Sequence, residues 1–226
     1  MSDIAAYGNP DNYIKYQNLR PDYGKAVSVA LQLAKKYTKN KKITLADFCC
    51  GTGSNTKKLA SVGKIEKAIL IDVNRKFLET ARKTLTLKNL ELLHQDVLEV
   101  SLKKECDLIL SIFAYHHMPD DKKELYLRQI ESCLKKGGIV VLAEIYLEKN
   151  EILNYYTDLL KAIPKKSKGL KEFLEQTAIS SDIEFKVSKK YAEKQILKKF
   201  EIIEEVKIWP KDKSEKGTFV QVLKLK

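Results

Sequence analysis

The sequence predicts an α/β protein with a doubly wound, mostly parallel sheet, and three observations support that fold class. Short apolar runs such as 68–71 are continuous rather than alternating, as is typical of strands buried on both faces of a parallel sheet. Segments with apolar residues at helical spacing separate these runs. A glycine-containing turn follows the first run, and such turns connect a strand to a helix beside a nucleotide-like ligand.

Apolar runs predict five strands at 43–48, 68–71, 91–97, 107–113 and 139–145. Helices are predicted at 22–40, from 57 after the glycine turn, at 74–87 and at 120–135. Gly137 and Gly138 are expected to end the last of these as a left-handed C-cap. Beyond residue 147 the segments 151–163, 168–177 and 189–199 look helical, and two more strands follow at 200–209 and 218–225.

The stretch 45–56 carries the candidate ligand site. Gly51 and Gly53 lack the Cβ atoms that would keep a ligand away from the main chain. A dinucleotide fingerprint needs a third glycine, and that position is Thr56. Asp47, at the end of the strand, would repel a doubly anionic pyrophosphate but attract a cationic amino group and a sulfonium. This combination indicates S-adenosylmethionine rather than a nicotinamide dinucleotide.

Asp47, Cys49, Gly51 and Gly53 resemble the first motif of the class I (Rossmann-like) methyltransferases, which runs acid-x-Gly-x-Gly-x-Gly. Cys49, also a small residue, stands where the first glycine is usual. The resemblance covers residues 43–145 by motif and 200–226 by pattern. It implies a seven-stranded sheet with an antiparallel last strand, a helical insertion between strands five and six, and S-adenosyl-L-methionine as cofactor.

Acids after the next two strands complete the predicted cofactor site. Asp72 lies 19 residues past Gly53, where an acid can accept hydrogen bonds from both ribose hydroxyls. For Asp96 the resemblance implies a contact with the adenine amino group, and the alternative is a turn cap. The predicted cofactor-binding residues are Tyr16, Arg20, Asp47, Cys49, Gly51, Thr52, Gly53, Asp72, Val73, Asp96, Val97, Ser111 and Phe113.

The fourth strand leads into the lip of the site, because ligands of open α/β sheets bind at the carboxyl ends of strands. The run 113–117, Phe-Ala-Tyr-His-His, resembles that of small-molecule methyltransferases, and the Asn-Pro-Pro-Tyr of amide and exocyclic-amine methylases is absent. His116 is the candidate catalytic base, with Tyr115, His117 and Glu144 also placed at the lip. The alternative for His116 is a hydrogen bond that orders the loop.

The resemblance predicts a single domain in four parts: an N-terminal helical cap (1–42), a cofactor-binding core (43–147), a helical substrate-cap insertion (148–199) and a C-terminal hairpin (200–226). The segment 1–21 carries Tyr7, Tyr13, Tyr16 and Arg20. It predicts either a flap over the cofactor or substrate, or a helix packed on the domain edge.

Charge and cysteine content bear on partners and location. The net charge of +12 raises the possibility of a nucleic-acid partner, but only four basic residues are arginines, the residue favoured for phosphate and base recognition. The four cysteines form no CxxC pair, so we expect buried thiols and no metal site. We also expect no membrane segment and a cytoplasmic location, since neither a long apolar run nor a signal peptide is present.

These observations predict an S-adenosylmethionine-dependent methyltransferase that acts on a small-molecule acceptor. The first alternative is an RNA methyltransferase whose lysine-rich C-terminal part contacts phosphates. The second is a non-catalytic domain that binds S-adenosylmethionine. A nicotinamide enzyme comes last, because of Asp47 and the missing third glycine.

Overall fold

A computed structural model describes residues 10–39, 41–163 and 184–226. The strands are β1 (Ile43–Phe48), β2 (Ile65–Asp72), β3 (Leu90–His94), β4 (Cys106–Ile112), β5 (Leu134–Tyr146), β6 (Phe200–Trp209) and β7 (Gly217–Leu225). The helices are α1 (Pro10–Leu19), α2 (Pro21–Thr38), α3 (Ser54–Ala60), α4 (Arg75–Thr84), α5 (Lys123–Cys133), α6 (Ile152–Lys161) and α7 (Lys189–Ile196).

The strands form one sheet in the order β3-β2-β1-β4-β5-β7-β6. Strands β1 to β5 pair in parallel, and β7 is antiparallel to both of its neighbours, β5 and β6. The predicted fold class is therefore confirmed. The strand order reverses between β1 and β4, and ligands of such sheets bind at that switch point, outside the carboxyl ends of the strands.

Apolar side chains on both faces of the sheet form the core. Helices α2 and α6 cover one face, where Val27, Ala30 and Leu159 pack against inward residues of β1, β4, β5 and β7. Helices α5 and α7 cover the other face. Burial on both faces explains why the central strands are continuous apolar runs. Among the described residues, no helix is both long and apolar enough to cross a membrane.

The predicted end of helix α5 is wrong. The helix ends at Cys133, and β5 begins at Leu134 and continues through Gly137 and Gly138. A Cβ atom on Gly138 would lie 3.0 Å from the carbonyl oxygen of Cys106 and 2.9 Å from Leu134 Cδ1. Gly138 is therefore required where β5 approaches β4 closely, and it does not cap a helix.

The insertion after β5 is partly integrated into the core. The side chains of Tyr155 and Tyr156 on α6 are both buried, at 6% exposure each. Tyr155 Oη lies 2.7 Å from Thr218 Oγ1 of β7 and donates to Asp22 Oδ2 of α2 at 3.2 Å. Helix α6 is thus fixed to two other elements of the fold. The predicted helix at 168–177 lies outside the described residues.

Candidate active site

Four acidic side chains come from the carboxyl ends of four strands and surround the turn after β1. Asp47 belongs to β1, Asp72 to β2 and Glu144 to β5, and Asp96 follows β3. The pKa of the Cys49 thiol is raised well above its ordinary value, first by burial and then by the charges of Asp72, Asp96, Asp47 and Glu144. The charges of all four carboxylates therefore act on the same residue of this turn.

Asp47 is buried, with 2% exposure, and its Oδ2 accepts a hydrogen bond from Thr56 Oγ1 at 2.6 Å. Burial raises the pKa of this carboxyl to about 7, and the charge of Asp72 raises it further against the opposing effect of the Thr56 hydrogen bond. A cation placed beside Asp47 would lower that pKa and be attracted by the ionised form. The geometry thus favours a cationic ligand group.

Left-handed backbone conformations shape the turn after β1. The φ angles are 55° at Cys49, 54° at Gly51 and 71° at Gly53. A residue with a Cβ pays roughly 1–2 kcal/mol for this conformation, so the cysteine is strained where glycine would not be. Gly53 is also required by packing. A Cβ there would lie 3.0 Å from side-chain atoms of Ala81, Leu70 and Leu85, so Gly53 makes room for β2 and α4, and its contact with a ligand remains a prediction.

Asp72 connects β2 to the glycine turn. Its Oδ2 accepts from the Gly51 main-chain N–H at 2.8 Å, and its Oδ1 accepts from that of Asn74 at 2.8 Å. Burial raises the pKa of this carboxyl, and the two main-chain hydrogen bonds oppose the rise. A carboxylate has about four acceptor positions, so two remain for further donors such as ribose hydroxyls.

Asp96 and Val97 lie past the end of β3. Asp96 Oδ1 accepts from the Leu98 main-chain N–H at 2.9 Å, which is the turn cap that the sequence left open as the alternative. The other carboxylate oxygen leaves acceptor capacity for a ligand. Val97 is buried, and Val73, after β2, is 43% exposed. A contact of these three residues with a cofactor remains a prediction.

Helix α1 lies over the glycine turn. The Tyr13 ring packs on Phe77 with centroids 5.1 Å apart, and a Cβ on Gly51 would lie 3.7 Å from Tyr13 Cε1. A cleft between the helix and the turn is lined by Tyr13, Ile14, Gln17, Asn18, Tyr23, Cys49, Cys50, Thr52, Ser54, Asn55, Lys58 and Ile112. Helix α1 therefore packs against the turn and α4, and a flap over a bound cofactor or substrate remains a prediction. The side chain of Tyr16 lies outside the described part of the chain.

Arg20 and Phe113 lie together at the lip. Arg20 donates to both oxygens of Asp22, at 3.2 and 2.8 Å, and its guanidinium is 5.5 Å from the centre of the Phe113 ring. That ring also stacks on Tyr23 at 5.2 Å. Ser111 differs, because its hydroxyl is wholly buried and 2.7 Å from Tyr126 Oη. This hydroxyl therefore already has a partner inside the protein, and a contact of Ser111 with the cofactor remains a prediction.

His116 and Glu144 form a buried hydrogen-bonded pair at the lip. His116 Nδ1 is 2.5 Å from Glu144 Oε1, and the His116 main-chain N–H donates to Oε2 at 3.1 Å. Burial lowers the pKa of His116 well below its ordinary value, and the charges of Lys186, Lys123 and Arg20 lower it further. Burial raises the pKa of Glu144, against the hydrogen bonds from the main chains of Ile145 and His116.

Two buried lysines enclose this pair. Lys123 Nζ donates to the carbonyl oxygens of Met118 and Phe185, both at 2.7 Å. Lys186 pairs with Glu184 and lies 5.2 Å from the centre of the Tyr156 ring. Burial lowers the pKa of Lys123 to about 8 and that of Lys186 to about 7. Buried groups with shifted pKa values in one cluster are typical of functional sites.

Sequence reasoning missed Asn55 and the two buried lysines. Asn55 is 8% exposed in the cleft wall, and its Oδ1 accepts no hydrogen bond within the described residues. An unpaired buried amide oxygen costs about 1–3 kcal/mol, so a ligand donor there would be favourable. Its place directly after the glycine turn was the available signal. For the lysines the sequence offered none, since they resemble the many exposed ones.

Comparisons with known proteins agree with this geometry. Residues 45–138 match a family model described as a methyltransferase domain. An uncharacterized methyltransferase from Oceanobacillus iheyensis is 30% identical over 131 residues, which cover 58% of this chain and 60% of that relative. The match thus spans less than two thirds of the relative's length.

Two solved structures share the fold. N-methyltransferase NodS from Bradyrhizobium japonicum WM9, solved with S-adenosyl-L-homocysteine, has a TM-score of 0.65 at 14% identity, covering 98% of this chain and 95% of that one. The 1,6-didemethyltoxoflavin-N1-methyltransferase of Burkholderia thailandensis, solved with 1,6-didemethyltoxoflavin and S-adenosylhomocysteine, has a TM-score of 0.63 at 13% identity, covering 98% and 88%. At these identities the likeness shows the fold.

Proposed function

We propose that the chain is a class I methyltransferase whose cofactor-binding core includes residues 45–138, the residues that match a methyltransferase-domain model, and that it transfers a methyl group from S-adenosylmethionine to a small-molecule acceptor. The observation that carries the proposal is the convergence of Asp47, Asp72 and Asp96 on a left-handed glycine turn at the switch point of the sheet. Carboxylates on three neighbouring strands suit a ligand with a cationic end and several hydrogen-bond donors.

The residues around the turn fit this cofactor. Asp47 and the unpaired Oδ1 of Asn55 would hold the cationic amino group, because both are buried acceptors near the turn. Asp72 would accept from the ribose, and Asp96 with the main chain of Val97 would contact the adenine. The main chain of the turn at Cys49, Gly51 and Thr52 would line the site, while α1 and Arg20 would cover it. Bound S-adenosylmethionine supplies an activated methyl group.

A small-molecule acceptor is favoured over RNA by the charges at the lip. Arg20 and Lys186 each lie beside an acidic partner, Asp22 and Glu184, and both side chains are buried. Cations that contact RNA phosphates would instead be exposed and free of carboxylates. The enclosed lip with aromatic neighbours resembles small-molecule pockets, which are concave and mostly apolar with a few placed polar groups.

Isotope transfer tests the proposal. The purified protein would be incubated with S-adenosylmethionine labelled in the methyl group and, separately, with a small-molecule extract and the total RNA of its source cells. We expect label in the small-molecule fraction. Label in RNA would instead establish the alternative, and no label in either fraction, despite cofactor binding, would support the non-catalytic alternative.

A further inference from the structure

We propose that a groove between α2 and α3 binds a small amphipathic carboxylate, a molecule with an apolar body and one anionic head group. The groove lies outside the turn after β1 and the acids around it. Binding there requires neither the cofactor nor methyl transfer, so this site goes beyond the proposed function.

The groove has the size of a small-molecule site. Helix α2 forms one wall, and the second half of α3 with the residues after it, as far as Val62, forms the other. Its volume is about 420 Å³, within the range of roughly 300–1,000 Å³ that is usual for small ligands. Gly24 and Lys35 both line the α2 wall, and their 11 positions span roughly 16 Å at 1.5 Å per residue. The groove therefore suits a small, elongated molecule.

Apolar side chains in the groove are left uncovered by the described part of the chain. Val62 is 47% exposed, which is unusual for a large apolar side chain of this molecule. Leu31 on α2 also lines the groove and is only partly buried. A ligand whose apolar body covers these two side chains would remove their surface from water, and this burial is favourable in proportion to its area.

Gly24 keeps one end of the groove open. It lies within α2, where glycine is destabilising relative to alanine. Its φ is not positive, and a Cβ there would meet no atom of the described residues within 4 Å. Neither the backbone conformation nor packing within that part of the chain therefore requires glycine. Close approach of a ligand to the main chain is a use of glycine that fits this position.

The charge of the groove favours an anionic head group. None of the residues that line it is acidic, and two are lysines, Lys35 on α2 and Lys58 on α3. Neither has a carboxylate within ion-pair distance among residues 10–39, 41–163 and 184–226, whereas Lys36 Nζ is 2.6 Å from Glu204 Oε2. Side chains of a helix tilt toward its N-terminus, so Lys35 extends along the groove toward Leu31. Unpaired ammonium groups beside apolar surface suit a carboxylate on an apolar chain.

The same residues disfavour two other occupants. A second copy of this chain, docked groove to groove, would bring Lys35 and Lys58 against their own counterparts, and like charges repel. RNA would find neither an arginine nor an aromatic ring among the lining residues, and these are the side chains that pair with phosphates and stack on bases. The groove thus fits a small anionic ligand better than either macromolecule.

Binding of octanoate tests the site directly. Titration calorimetry of the full chain would compare octanoate with octanol, which has no charge, and with acetate, which has no apolar body. We expect octanoate to bind at one site per chain, and each of the other two to bind at least about threefold more weakly. Absence of saturable octanoate binding, or equal binding of octanol or acetate, would overturn the proposal.

A variant that fills the groove separates this site from other apolar surface. Gly24→Leu places a side chain in the open space and also improves the helix propensity of α2. We therefore expect it to unfold at a higher temperature than the wild type but to bind octanoate at least about tenfold more weakly. Gly24→Ala is the matched control, since it adds only a methyl group, and its octanoate affinity should stay within about twofold of the wild type. Undiminished octanoate binding by folded Gly24→Leu would contradict the proposal.

Charge variants test the role of the two lysines. We expect Lys35→Gln to weaken octanoate binding about threefold, and the double variant with Lys58→Gln to weaken it about tenfold, as for solvent-exposed ion pairs. Lys57→Gln is the control, because Lys57 is exposed on α3 and does not line the groove. Its effect should be less than about 1.5-fold, since salt screens more distant charges. Equal effects of Lys57→Gln and Lys35→Gln would indicate a general charge effect and count against the site.

A competition experiment locates the ligand, because Lys58 also lines the cleft beside α1. We expect octanoate and S-adenosylhomocysteine to bind at the same time. Displacement of octanoate by S-adenosylhomocysteine would place octanoate in the cleft beside α1 and overturn the proposal. A chain that bound octanoate but neither bound S-adenosylhomocysteine nor transferred a methyl group would contradict the proposed function while supporting this site.

Discussion

Asp47 illustrates how a single buried carboxyl couples ligand binding to pH. Its pKa of about 7 results mainly from burial. A cationic ligand beside it lowers that pKa, so binding releases a proton below pH 7. We expect the affinity for S-adenosylmethionine to rise by up to about tenfold per pH unit up to about pH 7 and then to level off. Titration calorimetry at several pH values measures this slope.

A variant identifies the group responsible for the slope. Lys186 also has a pKa of about 7, so the wild-type profile alone does not assign it. Asp47→Asn keeps an oxygen that can accept from Thr56 but cannot ionise. We expect this variant to bind more weakly and with no pH dependence. If its affinity kept the wild-type pH dependence, Asp47 would not be the linked group.

The same carboxyl is expected to lower stability in the absence of ligand. Its folded pKa of about 7 lies above the ordinary value of 3.8, so the folded state binds more protons in that window. The contribution of this proton binding to the free energy of unfolding is complete below pH 3.8 and is lost as the pH rises to about 7. Asp47→Asn should therefore unfold at a higher temperature than the wild type at pH above 7, measured without cofactor.

Cys49 provides a test of backbone strain. Its φ of 55° costs roughly 1–2 kcal/mol for a residue with a Cβ, and glycine recovers this less an entropic cost of about 0.5–1 kcal/mol. Cys49 also packs against the core, so we expect the relieved strain to offset the lost packing, Cys49→Gly to change the free energy of unfolding by less than about 0.5 kcal/mol, and cofactor binding to be retained. Denaturant unfolding measures the difference.

The neighbouring cysteine is the matched control. Cys50 is 7% exposed and packs with Leu70, Leu78 and Ala81 without a positive φ. Cys50→Gly loses the burial of this side chain and relieves no backbone strain, so we expect the free energy of unfolding to fall by about 1–2 kcal/mol. Equal losses in both variants would show that the strain at Cys49 is not energetically significant.

At the scale of elements, α6 has a structural role that its position in an insertion did not suggest. Tyr155 Oη contacts Thr218 and Asp22, both buried. Tyr155→Phe leaves these partners with one hydrogen bond fewer, so we expect the free energy of unfolding to fall by about 1–3 kcal/mol. Cofactor affinity should stay within about twofold, because Arg20 still holds Asp22.

An exposed residue on the same helix is the control for this change. Leu153 is 64% exposed, and Leu153→Ala should alter the free energy of unfolding by less than about 0.5 kcal/mol. Unchanged unfolding of Tyr155→Phe would mean that α6 is not anchored through this hydroxyl. Helix α6 would then be available to the predicted substrate cap at 148–199.

The helices and strands also show which parts of the structure could be predicted from the sequence. Continuous apolar runs and the acids after them follow from local chemistry, so the sheet and the placement of Asp47, Asp72 and Asp96 could be predicted. The end of α5 could not be predicted, because Gly138 is required by its close approach to the carbonyl oxygen of Cys106, 32 positions earlier in the sequence. The pairing of His116 with Glu144 likewise depends on the register of β4 against β5.

At the scale of the whole molecule, the net charge of +12 is the strongest argument for an RNA acceptor. RNA binding through phosphates weakens steeply with salt, by about 10³–10⁵-fold between 50 and 200 mM for six to ten contacts. We expect methyl transfer to the small-molecule extract to change less than about twofold over the same range. Transfer to total RNA that falls by orders of magnitude over this range would instead favour RNA as the acceptor.

The central claim is that the turn after β1 and the acids around it bind S-adenosylmethionine. The most direct test is titration calorimetry of the wild type and Asp72→Ala with S-adenosylmethionine and with NAD. We expect the wild type to bind S-adenosylmethionine and not NAD, and Asp72→Ala to lose about 1.5–3 kcal/mol of that binding, the worth of hydrogen bonds to a charged group. Because Asp72 also accepts from the Gly51 main-chain N–H, Asp72→Asn, whose amide oxygen can keep one such hydrogen bond, is measured beside it as the control for the turn. Binding of NAD without S-adenosylmethionine, or an unchanged affinity in folded Asp72→Ala, would contradict the account.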